Sequence, residues 1–204
     1  MLLHEKLRGC KVILASASPR RRELLSATGI EYTLASKFEC EESYPATLDA
    51  LEVAPYLSAL KSVNYPNVLG YNEILITADT VVVLNGRVLG KPQDESEARK
   101  MLADLSGSEH TVVTGVTLRS AEREHTFSSR SVVRFAELSD EQIEYYIANY
   151  RPMDKAGAYG IQEWIGYVGI EGIEGSFYNV MGLPVQRLCK ELECFIEALP
   201  SCYL

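Results

Sequence analysis

Apolar residues follow two rhythms along the chain, and the switch from one to the other marks out the elements. KVILAS (11–16) is a short unbroken apolar run of the kind a buried strand makes. Ser18-Pro19 then reads as N-cap and first helical residue, with the helix ending near Thr28-Gly29. Residues 31–45 are irregular and acidic, and a helix is expected over about 47–63, with Pro55 awkwardly inside it. EILITADTVVVLNGRVLGKP (73–92) is the clearest β-structure. A strand ILITA is expected to break at Asp79-Thr80, and VVVL to resume before a tight hairpin at Asn85-Gly86.

Asp94-x-x-Glu97 forms a capping box before the helix EARKMLADL, which Gly107 stops. HTVVTGVTL and SSRSVVRFAEL alternate as two strands of a hairpin around the polar segment 119–126. Ser139 caps the helix EQIEYYIANY, a glycine-rich segment runs over 154–184, and a last helix starts at Pro184. Strands and helices alternate without a strict βαβ rhythm, which predicts an α/β fold with a mixed sheet flanked by helices. No linker composition divides it, so residues 1–204 are expected to form a single domain with residues 1–10 as an N-terminal extension.

Composition narrows the function classes. At 47% hydrophobic and 24% charged the chain has ample material for a core. A net charge of -8 argues against a sequence-independent nucleic-acid binder, so no nucleic-acid partner is expected. Cys10, Cys40, Cys189, Cys194 and Cys202 form no CxxC pair, which favours reduced thiols in a cytoplasmic protein over a disulfide framework or a zinc knuckle. MLLHEKLRGC is too short and charged for a signal peptide, and no run reaches membrane-spanning length.

In an acidic chain, local basic clusters become informative. SASPRRR places three arginines at the start of a helix, where cations oppose the dipole unless an anion binds there. Ser16 and Ser18 offer hydroxyl donors, and Arg20 and Arg21 can grip phosphate bidentately. Asp79, between two apolar runs, must leave the sheet at a bulge, pair with a cation or bind a metal. With Glu41 or Glu42 it could supply hard oxygen ligands for Mg²⁺ or Mn²⁺. GKP and DKAGAYGIQ set Lys91 and Lys155 in glycine-rich loops, free to converge on a polyanion, and the Gln162 amide has the groups to read a base edge. His4, His110 and His125 lack ligand spacing and stay outside the mechanism, while Tyr145, Tyr146 and Tyr150 at helical spacing fit core or interface.

Taken in order, SASPRR, ADTVV with its NG hairpin, GKP, LSGxxHxVxTGV, DKAGAYGIQ and MGLP resemble the Maf family of nucleotide pyrophosphatases, over about residues 11–195. The resemblance implies two lobes around a deep cleft. It also implies hydrolysis of a nucleoside triphosphate between the α and β phosphates, with a divalent metal (Mg²⁺ or Mn²⁺). By position, Ser16, Arg20 and Arg21 match the triphosphate loop. Asp79 matches the family's general base and a metal ligand, with Thr80 beside it, and Glu42 matches the metal-site acid, with Glu41 the alternative. Lys61, Lys91, Lys155 and Gln162 match substrate-binding positions, and DKAGAYGIQ resembles the branch acting on dTTP and UTP.

Two stretches depart from the family. SALKS lacks the charged residue relatives usually carry before the lysine, and EWIGYVGIEG follows Gln162 where relatives have glycine at once, which bears on the shape of the base pocket. A nucleotide-binding regulator of septum formation or cell division is the alternative function, and a homodimer is left open.

Overall fold

The computed structural model describes residues 1–199. In chain order the elements are α1 (Leu3–Lys6), β1 (Lys11–Leu14), α2 (Pro19–Ala27), β2 (Thr33–Leu34), α3 (Val53–Val63), β3 (Glu73–Leu84), β4 (Arg87–Leu89) and α4 (Glu95–Leu105). They continue as β5 (Glu109–Arg119), β6 (Glu124–Phe135), α5 (Asp140–Tyr150), α6 (Trp164–Gly169), β7 (Ile170–Glu174), α7 (Phe177–Met181) and α8 (Val185–Glu197). The seven strands form one mixed sheet in the order β2-β1-β3-β5-β6-β7, with β4 paired to β3 off this path. β1 runs parallel to β2 and β3, and the other pairings are antiparallel. The α/β mixed sheet expected from the pattern is therefore present. Its sheet is continuous, and the division into two lobes stays an expectation.

The strand alternation of β3 decides which face each side chain serves. Ile74, Ile76, Ala78, Val82 and Leu84 point into the main core with α4, α5 and α8, whereas Val81 and Val83 pack under Val53, Ala54 and Leu57 of α3. Asp79 shares parity with Val81, so it lies on the α3 face, and Thr80 lies on the other.

One edge of β3 is shared unequally. β5 covers the opposite edge from Leu75 to Val83, so β1 and β4 occupy the same remaining edge. β1 pairs with Glu73 to Ile76 and β4 with Val82 to Leu84, which leaves residues 77–81 open between them. That gap, at the carboxyl end of β1, is where an α/β sheet offers a ligand crevice.

Four expectations are corrected. β3 runs unbroken through Asp79-Thr80, with Asp79 in register opposite Gly115, because Asp79 finds a cation without leaving the sheet. The second long helix begins at Val53 after a single 3₁₀ turn over Ala50–Glu52, not at 47. Pro55 then sits in the first turn, where its missing N–H would have no intrahelical partner. The capping box of α4 is offset: Asp94 accepts from the Glu97 N–H, but the Glu97 carboxylate accepts from Gln93 N. The glycine-rich segment is largely structured, holding α6, β7 and α7.

Other readings hold. Ser18 caps α2 with Pro19 at its first position, Asn85 (φ 50°) and Gly86 (φ 74°) make the β3–β4 turn, and Ser139 and Gln142 form a reciprocal capping box. Cys40, Cys189 and Cys194 are free thiols, and Cys202 lies outside the described residues. Among the described residues no helix is long and apolar enough to cross a membrane.

Candidate functional site

The gap in the β3 edge opens into a polar cleft. Arg20, Arg21, Lys61, Asp79, Thr80, Lys91, Lys155 and Gln162 all line it, although they are spread from residue 20 to residue 162. Five cations thus face one space in a chain of net charge -8. Ser18 lines the cleft, whereas Ser16 stands behind it, its Oγ accepting from Ser18 N at 3.3 Å and Arg21 Nη1 at 3.4 Å.

Arg21 and Arg20 occupy different situations. Arg21 donates Nε to Gly182 O (2.8 Å), Nη1 to Ala78 O (2.8 Å) and Nη2 to Thr80 Oγ1 (3.0 Å). Its guanidinium therefore closes the open β3 edge, and few of its five N–H groups remain for the bidentate phosphate grip expected of it. Burial pulls its pKa below the usual guanidinium value, with Asp79 and Glu42 opposing that shift and Arg20 adding to it. Among the described residues Arg20 is tied to Asp154, Nη1 to Oδ2 at 3.1 Å.

On the α3 face Lys61 Nζ contacts Asp79 Oδ1 at 2.5 Å and Glu42 Oε1 at 3.1 Å. Of the two acids left open by the sequence, Glu42 is the one that reaches this lysine. Both carboxylates are within hydrogen-bonding reach of one ammonium, and they offer hard oxygens of the kind Mg²⁺ or Mn²⁺ takes. No third His, Cys, Asp or Glu joins them to make a metal-type cluster among the described residues.

The opposite wall is made by residues 152–163. Lys155, buried at 7% exposure, pairs with Asp154 at 2.7 Å and Glu163 at 3.1 Å. Burial opposes ionisation of Asp154, but the bonds from Lys155 and Arg20 outweigh it and hold its pKa below the usual carboxylate value. Lys91 enters from the loop after β4, exposed and, among the described residues, without an ion pair, and the backbone of that loop is joined to this wall by Gly157 N to Gly90 O at 3.0 Å. Gly157 has φ +67°, and a Cβ there would come within 2.9 Å of Val82, so only glycine lets the wall close on β3. Gln162 has its Oε1 buried with no hydrogen-bond partner among the described residues.

Sequence reasoning missed the supports of this wall. Glu163 follows Gln162 directly, yet its partners Lys155 and Tyr146 lie elsewhere in the chain. Of the two places open to Tyr146, core or interface, it takes the core and is fully buried, and its hydroxyl also bonds Glu163 and Gly160 N. Beneath the cleft, Thr80 meets Thr114 Oγ1 at 2.9 Å, and Thr114 donates to Asn179 O. Asn179 sits inside the run closed by MGLP, the only sequence signal that pointed near it.

A family model described as Maf-like protein matches residues 11–195. The chain belongs to the Maf family. Its Maf relatives include a protein of Phocaeicola vulgatus named dTTP/UTP pyrophosphatase, 54% identical over 93% of this chain and 98% of that one. Proteins of the same name from Bacteroides thetaiotaomicron (51%, covering 90% of this chain and 95% of the relative) and Porphyromonas gingivalis (50%, covering 95% and 98%) are similar over nearly their full lengths. A solved HAM1 protein from Coxiella burnetii is a more distant likeness, with TM-score 0.47 and 14% identity over 93% of this chain and 100% of that one, too remote to argue from. For a Maf chain, the motifs that carried the resemblance are the same ones that meet in the cleft.

Proposed function

We propose that this chain is a nucleoside triphosphate diphosphatase that hydrolyses dTTP and UTP to the monophosphate and pyrophosphate. The observation that carries this reading is the convergence of five cations, the Asp79 carboxylate and the Gln162 amide on a single cleft, in a chain whose relatives are named dTTP/UTP pyrophosphatase. Arg20, Lys91 and Lys155 neutralise the triphosphate, and Arg21 contributes mainly by holding the open strand edge in place. Asp79 orients a water and takes its proton as the oxygen attacks phosphorus in line, and the α–β anhydride bond breaks with the electron pair leaving on pyrophosphate. Lys61 fixes the Asp79 carboxylate and Thr80 helps seat the phosphates.

Asp79 and Glu42 are the residues that would hold Mg²⁺ or Mn²⁺, and phosphate oxygens or waters would fill its remaining positions. Bound there, the ion would supply charge neutralisation of the phosphates. Gln162 pairs with the imide N–H and one carbonyl of uracil or thymine, a pattern that cytosine does not present. Unpaired buried polar groups would then give discrimination of about tenfold to a hundredfold. Nucleotides of this kind fit a cytoplasmic location.

The test is pyrophosphate release by the purified protein from dTTP, UTP, CTP and the purine triphosphates, with Mg²⁺ or Mn²⁺ added. Release from dTTP and UTP well above the others is expected. Binding without turnover would leave the regulator reading in its place, and equal rates on GTP or CTP would remove Gln162 from base recognition.

A further inference from the structure

The residue after Gln162 is where the chain departs from the pattern it otherwise resembles, and that residue is Glu163. Its carboxylate joins Lys155 to Tyr146. One oxygen pairs with Lys155 Nζ at 3.1 Å, and the other accepts a short hydrogen bond from the Tyr146 hydroxyl of α5. The Tyr146 oxygen accepts in turn from Gly160 N at 3.0 Å. Burial, then the Glu163 carboxylate, push the Tyr146 pKa far above its usual value, so its hydroxyl stays a donor.

The four-residue turn from Gly160 to Glu163 is therefore closed twice. The backbone closes it through Glu163 N to Gly160 O at 3.0 Å, and the side chains close it through Tyr146. Gly160 is also in contact with what it holds: a Cβ there would lie 2.8 Å from Glu163 Cδ and 3.1 Å from Gln162 Nε2. Gln162 sits inside this turn, its Oε1 buried and without a partner among the described residues. An amide that reads a base must present its donor and acceptor in one order, because a rotated amide exchanges them. The turn lies outside regular secondary structure, and the Glu163–Tyr146 closure adds a side-chain constraint to its backbone bond.

We propose that Glu163 is a positioning residue for pyrimidine selection, clamping the Gly160–Glu163 turn through Tyr146 so that the Gln162 amide faces the base in one orientation. This rests on the reading of Gln162 given above. The same carboxylate holds Lys155, so the clamp couples the phosphate side of the cleft to the base side.

The experiment measures kcat/KM for UTP and CTP in wild type, Glu163→Ala, Glu163→Gln, Tyr146→Phe and Gln162→Ala, with thermal melts to identify folded variants. Glu163→Ala and Tyr146→Phe should each lower the UTP/CTP ratio by about tenfold, the scale of one mispaired buried polar contact. Glu163→Gln keeps an oxygen to accept from Tyr146 and should restore the ratio to within about threefold of wild type, while changing KM for both nucleotides through Lys155. A structural role alone would lower both nucleotides by one factor and leave the ratio unmoved. If Gln162→Ala collapses the ratio while folded Glu163→Ala and Tyr146→Phe leave it intact, the clamp is refuted and base reading stands. If Gln162→Ala leaves the ratio intact but Glu163→Ala lowers it, base reading by Gln162 is refuted and Glu163 selects by another contact. If none of the variants moves the ratio, both fall.

Discussion

Lys61 and Lys155 reach the cleft from opposite walls, and the two walls are built by different means. Lys61 stands on α3, whose first turn rests directly on the backbone of β5: a Cβ on Gly115 would lie 2.3 Å from Pro55 N. Its partner Asp79 is held in a ladder that pairs β3 with β5 from Leu75 to Val83. Lys155 stands in an irregular stretch between 3₁₀ turns, where Gly157 (φ 67°) and Ala158 (φ 58°) take left-handed backbone. Ala158, Tyr159 and Ile161 of that wall pack into the main core, and its polar groups are tied by individual bonds, Gly157 N to Gly90 O and Lys155 to Asp154 and Glu163. A ladder shares its constraint over many residues, so losing one side chain leaves the wall standing. Polar groups tied by individual bonds have no such reserve. Chemistry at Asp79 should therefore be separable from stability, and the placing of Lys155 and Gln162 should depend on single side chains.

The sharpest way to break this comparison is Asp79→Asn. The amide is isosteric and the ladder is unaffected, so kcat for UTP should fall by about 10²–10⁴ while the melting temperature changes little. A collapse of the fold in this variant would show that the ladder wall depends on the Asp79–Lys61 pair. Near-normal turnover would remove Asp79 from the base role.

The arginines come next, because each is tied to a different wall. Arg20→Ala breaks the link to Asp154 and should lower kcat/KM by about tenfold to a hundredfold. Arg21→Ala should match that loss and also lower the melting temperature, since it leaves Ala78 O and Gly182 O without their donor. Arg22→Ala, outside the cleft lining, should do far less. Equal melting temperatures for the Arg20 and Arg21 variants would show that Arg21 does not hold the strand edge.

Gly115→Ala sharpens the comparison from the ladder side. The added methyl meets the backbone of Ala54 and Pro55, which cannot rotate away, so α3 must shift and carry Lys61 from Asp79. A loss of about 1–3 kcal/mol in denaturant unfolding is expected, together with lower turnover. An unchanged stability would mean that α3 is not seated on Gly115.

The smallest effect concerns His110 of β5, which supports the irregular wall through Tyr159, Nε2 to Oη at 2.7 Å. Burial lowers its pKa from 6.5 to about 4. The unfolded chain then binds the extra proton between those values, so stability is full above pH 6.5 and falls as the pH drops through that window. From pH 7 to 5.5 the loss attributable to His110 should be about 1 kcal/mol. His110→Phe should show a shallower decline over the same range, and an identical decline would assign the effect to other groups.

Much of the fold was legible because its signals are local. The Ser18-Pro19 cap, the Asn85-Gly86 turn and the Ser139 capping box each involve residues within a few positions of one another. α6, β7 and α7 escaped because the glycines that punctuate them resemble a loop, and short elements there are stabilised by neighbours: β7 by β6, and Asn179 by Val112 O and Ser131 Oγ.

The sequence by itself determined the inventory of the site: a basic helix start, a carboxylate between two apolar runs, two lysine loops and an amide. Those residue types carry their chemistry wherever the chain puts them. Only the tertiary structure decided their company. β1 and β4 had to divide one edge of β3 to leave the gap that Arg21 closes, and the parity of β3 had to turn Asp79 toward Lys61. Glu163 had to meet Tyr146 of α5, seventeen residues away in the chain. Pairings of this kind join residues far apart in the chain, and their geometry is set by packing rather than by any neighbour in sequence.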